Sequence, residues 1–269
     1  SRRCMSCSLL RYGSIFRCIS VMSCSVIVVS PFKVRERHSV AVPFVKLSPL
    51  VRVIQTVNDN LQQQAAALFS SLYDRTNTEV RFTDLIQILG GGTPKTGENT
   101  YWNGNIAFFT PKDVGTPYTL ITEKTITEEG LSHCNSRLYP VNTVFVTARG
   151  TVGKVGMSGV PMAMNQSCYA LVGKETHQLL VYFYTLKAVD RLKHKASGAV
   201  FDAITTRDFE SEQIMKLSDD DAKAFLCIAE PMFQKVLNNC IENLRLSTLR
   251  DSLLPKLMSG EVDVSAVQL

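Results

Sequence analysis

Two segments with helical periodicity, 57–75 and 218–269, enclose a middle region of strands and turns at 76–217. In the first segment, apolar residues recur at steps of four, three and four, which is the spacing of one helix face. These residues are Leu61, Ala65, Leu68 and Leu72. The second segment opens on a serine followed by three aspartates, a pattern typical of a helix start. This order predicts an α+β chain in which long helices flank one mixed α/β domain.

The apolar pattern of segment 218–269 suits packing against another helix. Two stripes, offset near residue 245, comprise Phe233, Leu237, Ile241 and Leu244, then Leu246, Leu249, Leu253 and Leu257. Packing against the chain's own domain fits this periodicity equally well. The order of helix, mixed region and long helix suggests two arms that flank one domain. Asn58 is a candidate N-cap of the first helix, and Pro231 predicts a kink or a restart in the second.

The middle region mixes short helices with strands. Residues 83–89 predict a short helix, with Thr83 as its cap and Gly90 as its terminator. Strands are predicted at 105–110, 141–147, 152–157 and 168–172, and a helix at 177–194.

The first fifty residues differ from the rest of the chain. They carry eight Lys/Arg against one acid, whereas the whole chain has a net charge of +5. The apolar run at 19–29 permits a signal-peptide interpretation, and four cysteines permit a weaker zinc interpretation, although no second ligand pair closes such a site. We expect residues 1–56 to be an atypical leader or a remnant of an upstream domain, poorly packed and without chemistry. The other four cysteines are scattered, which indicates buried thiols in a reducing, cytoplasmic compartment.

The sequence offers few signs of catalysis. The segment Gly-Thr-Val-Gly-Lys-Val at 150–155 lacks the four-residue spacing and the Ser/Thr of a phosphate-binding loop. The four histidines have no metal-ligand spacing, and no run approaches the roughly 20 apolar residues of a membrane helix. We therefore predict no catalytic, cofactor-binding or metal-binding residues in this chain, and no association with a membrane.

Polar loops punctuated by glycine remain as candidate binding elements. They offer cations, hydroxyls and amides that suit phosphates and base edges. We predict that Lys95, Lys112, Arg149, Thr151, Lys154, Asn165, Gln166 and Lys195 contact DNA. Region 76–217 has 14 Lys/Arg against 13 Asp/Glu, a net charge of +1, which argues against a nonspecific electrostatic binder. Each loop alone is more typical of an ordinary turn than of a binding site.

Several of these segments occur in the order of a known domain. They are Gly-Gly-Thr-Pro-Lys-Thr at 91–96, Tyr-Trp-Asn-Gly-Asn-Ile at 101–106, Thr-Pro-Lys-Asp at 110–113, Ile-Thr-Glu-Glu-Gly-Leu at 126–131, the run at 140–154, Asn-Gln-Ser at 165–167 and Ala-Ser-Gly at 196–198. The combination resembles a target recognition domain of the specificity (S) subunit of Type I restriction-modification systems. Residues 60–69 and 249–264 are similar to the family's central spacer helix and C-terminal helix end.

The resemblance implies a noncatalytic subunit that reads one half of a bipartite target in double-stranded DNA. Its helices would hold the halves at a fixed spacing and dock the methyltransferase (M) subunits. The two flanking helices are then expected to form an antiparallel coiled-coil-like spacer, within one chain or between two. S-adenosylmethionine is then expected in the M subunits. ATP and Mg are expected in the partner subunits, among them the restriction (R) subunit. Among the candidate residues, Lys95, Lys154 and Lys195 would contact phosphates, and Arg149, Asn165 and Gln166 would read bases.

One departure from the family pattern leaves alternatives open. A full S subunit has two recognition domains, whereas this sequence has one clear copy, and residues 1–56 do not match the end of another. The chain is interpreted either as a truncated or frame-damaged piece, which also explains the missing initiator Met, or as a half-subunit that forms a homodimer. The recognition domain of a fused restriction-methyltransferase is a further alternative, and an exported interaction protein is another. The target bases cannot be deduced from the sequence.

Overall fold

The computed structural model describes residues 42–195 and 203–261. Within these ranges the helices are α1 (Val42–Tyr73), α2 (Phe82–Leu85), α3 (Glu128–Ser132), α4 (Gln178–Lys195), α5 (Thr206–Ser211) and α6 (Asp219–Met258). The strands are β1 (Glu79–Arg81), β2 (Ile86–Gly90), β3 (Trp102–Phe109), β4 (Tyr118–Thr119), β5 (Lys124–Ile126), β6 (Val144–Thr147), β7 (Val155–Ser158), β8 (Met162–Met164), β9 (Cys168–Gly173) and β10 (Gln213–Met215). The predicted α+β class is confirmed.

The flanking helices α1 and α6 pack against each other in an antiparallel pair. Asn58 of α1 meets Asn239 of α6, whereas Phe69, further along α1, meets Phe225 near the start of α6. The predicted antiparallel arrangement is therefore confirmed within one chain. Helix α1 begins at Val42, upstream of the predicted start at residue 57, so residues 42–56, which we expect to belong to a poorly packed leader, are helical. Four of the six residues at 51–56 are exposed. The remainder of that prediction, for residues 1–41, lies outside the described residues.

Asn58 is an interhelical contact and not the predicted N-cap, because it lies well inside α1. Its side chain is 1% exposed, and its Oδ1 accepts a hydrogen bond of 2.7 Å from Nδ2 of Asn239. Its Nδ2 donates to the Cys240 sulfur at 3.7 Å. A buried amide disfavours sliding of the two helices, because it meets its hydrogen-bond partner in a single register. This contact therefore fixes the register of the pair.

Helix α6 begins where the sequence predicts, since the Ser218 hydroxyl accepts a hydrogen bond of 3.1 Å from the backbone N–H of Asp221. The helix continues without interruption through Pro231, so the predicted restart there is wrong. A proline removes one helical hydrogen bond. Burial of Ala229 and Phe233 on either side of it supplies packing that offsets this loss. The end of the predicted helix, at 262–269, lies outside the described residues.

The strands form three sheets in the described residues. A five-stranded sheet has the order β2-β9-β6-β7-β4, a three-stranded sheet the order β5-β3-β8, and β1 pairs with β10. The strands predicted around 105–110, 141–147, 152–157 and 168–172 correspond to β3, β6, β7 and β9. The predicted helix at 83–89 is wrong in its second half, because only α2 is helical and β2 follows it. Pairing of β2 with β9 along its whole length overrides the weak local helix preference, and Gly90 ends a strand.

One hydrophobic core joins the flanking helices to the mixed domain. The Phe69 ring of α1 stacks on Phe183 of α4, with ring centroids 5.0 Å apart, and meets Phe225 of α6 edge-on at 5.5 Å. The buried face of the five-stranded sheet adds Val144 and Leu171 to the same cluster. The domain and the helix pair are thus held in a fixed relation. None of the helices in 42–195 and 203–261 has the length and apolar character that crossing a membrane requires.

Candidate functional site

Four loops meet at one edge of the two larger sheets. In the five-stranded sheet, the end of β2 lies beside the start of β9, and the end of β6 lies between the starts of β9 and β7, because these neighbours are antiparallel. Strands β3 and β8 are parallel, so the loops that follow them leave in the same direction. The loops gathered in this way are 91–95, 110–113, 149–154 and 165–167. They contain all of the predicted DNA-contacting residues except Lys195.

Loop 91–95 is seated directly on loop 165–167. A Cβ atom on Gly91 would lie 2.2 Å from the backbone oxygen of Asn165, so only glycine allows this approach. The Thr93 hydroxyl donates a hydrogen bond to Oε1 of Gln166. Because that amide oxygen is engaged, the Nε2 group of Gln166 remains as a donor toward a ligand.

The other two loops are joined to this pair by backbone and hydroxyl contacts. The backbone N–H of Asn165 donates to the Phe109 oxygen at 3.0 Å, which ties loop 165–167 to the end of β3. The Thr151 hydroxyl donates to the Pro111 oxygen at 3.1 Å, which ties loop 149–154 to loop 110–113. Gly150 has a φ of 81°, a left-handed conformation that glycine adopts without strain. The four loops therefore form one connected surface.

A cleft of about 460 Å³ opens between loops 110–113, 149–154 and 165–167 and the neighbouring residues 123–124. Its lining residues are Thr110, Pro111, Lys112, Glu123, Lys124, Gly150, Thr151 and Asn165. Of the predicted residues, the cleft thus brings together Lys112, Thr151 and Asn165. A cation, a hydroxyl and an amide in one depression match the groups that bind phosphates and base edges.

Four other predicted residues lie on the loops that border the cleft. The side chains of Arg149, Lys154, Gln166 and Lys95 are exposed. Arg149 and Gln166 directly adjoin lining residues in sequence. The backbone oxygen of Lys95 accepts a hydrogen bond of 3.2 Å from the Trp102 ring nitrogen, which anchors loop 91–95 at its far end.

Lys195 lies outside these four loops. It ends α4, and its ammonium group forms an ion pair with the carboxylate of Glu212, whose side chain is 0% exposed. Arg191 Nε lies 3.0 Å from the other oxygen of the same carboxylate, but without the geometry of a hydrogen bond. A buried carboxylate requires such partners, so Lys195 has a structural function here. The Ala-Ser-Gly motif that follows it, at 196–198, lies outside the described residues.

The sequence alone missed three residues of the cleft region. Lys124 lines the cleft, and its ammonium nitrogen lies 5.5 Å from the centroid of the Trp102 ring. Asp113 holds loop 110–113 in shape: its Oδ2 accepts hydrogen bonds from the N–H and hydroxyl of Thr110, at 2.8 and 2.6 Å. The Thr-x-x-Asp spacing is a recognisable signal for such a turn. Neither Lys124 nor Glu123 carries a comparable signal.

Cys168, at the base of loop 165–167, is a buried thiol with no reactive character. Burial, together with a smaller effect of the negative charge of Asp113, raises its pKa to about 12. A thiol with this pKa stays protonated at neutral pH and is a poor nucleophile or metal ligand. Across 42–195 and 203–261, no group of His, Cys, Asp and Glu side chains is arranged to hold a metal ion.

Comparisons with known proteins place this architecture in a family. The profile of the Type I restriction modification DNA specificity domain matches residues 74–216. The specificity subunit of the Type I restriction enzyme MjaIX from Methanocaldococcus jannaschii is 31% identical over 127 residues, which cover 45% of this chain and 29% of that subunit. The HindI specificity subunit from Haemophilus influenzae is 28% identical over 186 residues, which cover 67% of this chain and 40% of that subunit. The chain thus spans less than half the length of either relative.

A solved structure shows the same fold. The crystal structure of a Type I restriction-modification S subunit from M. genitalium superposes with a TM-score of 0.59 at 15% sequence identity. The superposition covers 82% of this chain and 60% of that subunit. The match of the family profile to residues 74–216 confirms the resemblance inferred from the ordered sequence motifs.

Proposed function

The chain belongs to the family of Type I restriction-modification DNA specificity domains, and from this membership we propose that it recognises a specific sequence in double-stranded DNA. The observation that carries the proposal is the convergence of four predicted DNA-binding loops on one surface, in which three of them line a common cleft and loop 91–95 packs on loop 165–167. The chain acts as a binding subunit and catalyses no reaction itself.

The side chains around the cleft divide into two roles. Lys95, Lys112 and Lys154 are exposed cations that contact phosphates and set the position of the duplex. Arg149 and Gln166 are exposed donors that border the cleft, and they read base edges in the major groove. Asn165 lines the cleft and joins them as a base reader. Lys195 is removed from the set because its ammonium group is bound to Glu212.

Alanine substitutions separate these roles. Arg149→Ala and Gln166→Ala are each expected to cost ~1–3 kcal/mol of discrimination at one base pair of the target. Lys154→Ala is expected to weaken binding to every duplex about equally and to reduce the slope of log affinity against log salt by about 1. Equilibrium binding of the full chain to target and mutated duplexes at several salt concentrations measures both effects. The assignment is wrong if Arg149→Ala and Gln166→Ala both leave affinity and target preference unchanged.

We propose further that α1 and α6 place this domain at a fixed distance from a second one and dock the M subunits. Support comes from the shared core, in which Phe69, Phe183 and Phe225 join both helices to the domain. On this account the chain reads one half of a bipartite target, and the R subunit and the cofactors S-adenosylmethionine, ATP and Mg belong to the assembled complex. The cytoplasmic location and the homodimer stay predictions.

Reconstitution of the full chain with the M subunit encoded beside it tests this second proposal. Methylated adenines in a palindromic bipartite motif would identify two copies of this chain as the two halves. An M subunit that binds S-adenosylmethionine but neither co-purifies with the chain nor methylates DNA in its presence would contradict the docking role.

A further inference from the structure

Glu123 adds a carboxylate to the lining of the cleft, which two lysines also line. It lines the cleft together with Lys112 and Lys124, and its Oε2 lies 3.8 Å from the Lys112 ammonium nitrogen. The Glu123 side chain is 60% exposed and that of Lys112 is 81% exposed. An ion pair with this exposure and distance contributes little to stability, so it exchanges readily for contacts with a ligand.

The backbone on both sides of Glu123 is held in place. The Glu123 N–H donates to Asp113 Oδ1 at 2.8 Å, which joins it to loop 110–113. The preceding Thr122 hydroxyl accepts from the Phe108 N–H at 3.1 Å and donates to the Lys124 oxygen at 2.7 Å. Ordered backbone on either side fixes the point at which the Glu123 side chain leaves the cleft wall. A side chain presented in this way is suited to recognition, which requires defined geometry.

A carboxylate is unfavourable in a surface that binds only phosphates, because it repels them. Its useful partner on DNA is an exocyclic amino group, since an ionised carboxylate accepts hydrogen bonds and donates none. In the major groove such groups are cytosine N4 and adenine N6. Lys112 and Lys124 beside it offset the repulsion from the DNA backbone.

We propose that Glu123 is a specificity-determining residue that accepts a hydrogen bond from an exocyclic amino group of a target base. Lys112 and Lys124 contact the phosphates near that base, and Asp113 positions the loop. This assignment rests on the proposed DNA-reading function and adds to it the class of base edge that the cleft selects.

Two substitutions distinguish base reading from a simple effect of charge. Glu123→Ala removes the acceptor and the charge, whereas Glu123→Gln removes the charge but keeps a carbonyl acceptor. Glu175→Gln is the charge-matched control, because Glu175 is exposed and follows the opposite end of β9 from the cleft. The full-length variants are compared with the wild type by selection from a pool of random duplexes, followed by equilibrium binding.

Glu123→Ala is expected to lose roughly tenfold in discrimination at a single base pair of the selected motif. Glu123→Gln is expected to keep more of that discrimination, and Glu175→Gln all of it. Loss of discrimination at a cytosine position identifies cytosine N4 as the partner of Glu123. Loss of discrimination at an adenine position identifies adenine N6. If Glu123→Ala and Glu123→Gln tighten binding equally on all duplexes and leave the motif unchanged, Glu123 acts through charge alone and the proposal is overturned. A wild type without any base preference would overturn the DNA-reading function itself.

Discussion

Gly91→Ala is expected to weaken sequence-selective DNA binding about 10- to 100-fold, because loss of one base contact costs ~1–3 kcal/mol. The new methyl group would lie 2.2 Å from the Asn165 oxygen and 2.6 Å from the Met164 oxygen, both of which are backbone atoms. Asn165 is itself held by its N–H bond to Phe109 and cannot withdraw. Loop 91–95 must therefore move away and give up the contact of Thr93 with Gln166.

The neighbouring glycine provides a matched control. A Cβ atom on Gly90 would meet no heavy atom within 4 Å, so Gly90→Ala changes the same residue type at the adjacent position without a clash. Equilibrium binding to target and unrelated duplexes compares the two variants, and far-UV circular dichroism establishes that both are folded. Equal target affinity of the two variants would show that the seating of loop 91–95 on loop 165–167 has no role in recognition.

Phe69→Ala is expected to lower the free energy of unfolding by ~3–5 kcal/mol, the usual cost of truncating a buried aromatic residue. Phe69 is 1% exposed and contacts Phe183 and Tyr184 of α4 as well as Phe225 of α6. The resulting cavity would lie where three helices meet. The substitution therefore weakens both the packing of the core and the attachment of the helix pair to the domain.

Urea denaturation followed by circular dichroism measures this effect. The control is Val53→Ala on the same helix, where the side chain is 59% exposed and truncation is expected to change stability by less than about 0.5 kcal/mol. If Phe69→Ala and Val53→Ala have similar unfolding free energies, the helices do not share a core with the domain.

The long elements were predictable because their local patterns agree with the final packing. The apolar stripe of 57–75 and the Ser-Asp-Asp-Asp start of α6 specify helices on their own. Residues 86–89 are a short, mostly apolar segment interrupted by Gln87 that suits a helix or a strand equally well, and only the pairing of β2 with β9 decides between them. Asn58 is a residue type that often caps helices, but its interhelical hydrogen bond depends on Asn239, 181 positions away in the sequence. Such distant partners leave no local signal.

The binding surface was predictable only in part. Glycine-bounded loops with cations and amides identified Lys112, Thr151 and Asn165, which the fold brings together in the cleft. The charge of Lys195 suits a phosphate contact, and the sequence predicts it to be one. The buried Glu212 with which it forms an ion pair is not recognisable in the sequence. No sequence motif identifies Glu123 and Lys124, because it is the pairing of β3 with β5 that brings their segment beside loop 110–113. The sequence shows which side chains each loop carries, whereas the pairing of the strands determines which loops lie close together.

Selection of bound duplexes from a random pool by the full-length chain tests the central claim most directly. The claim predicts enrichment of one defined motif, bound at least about 10³-fold more tightly than unrelated DNA at physiological salt. Binding that depends only on salt concentration and duplex length, with no enriched sequence, would contradict it.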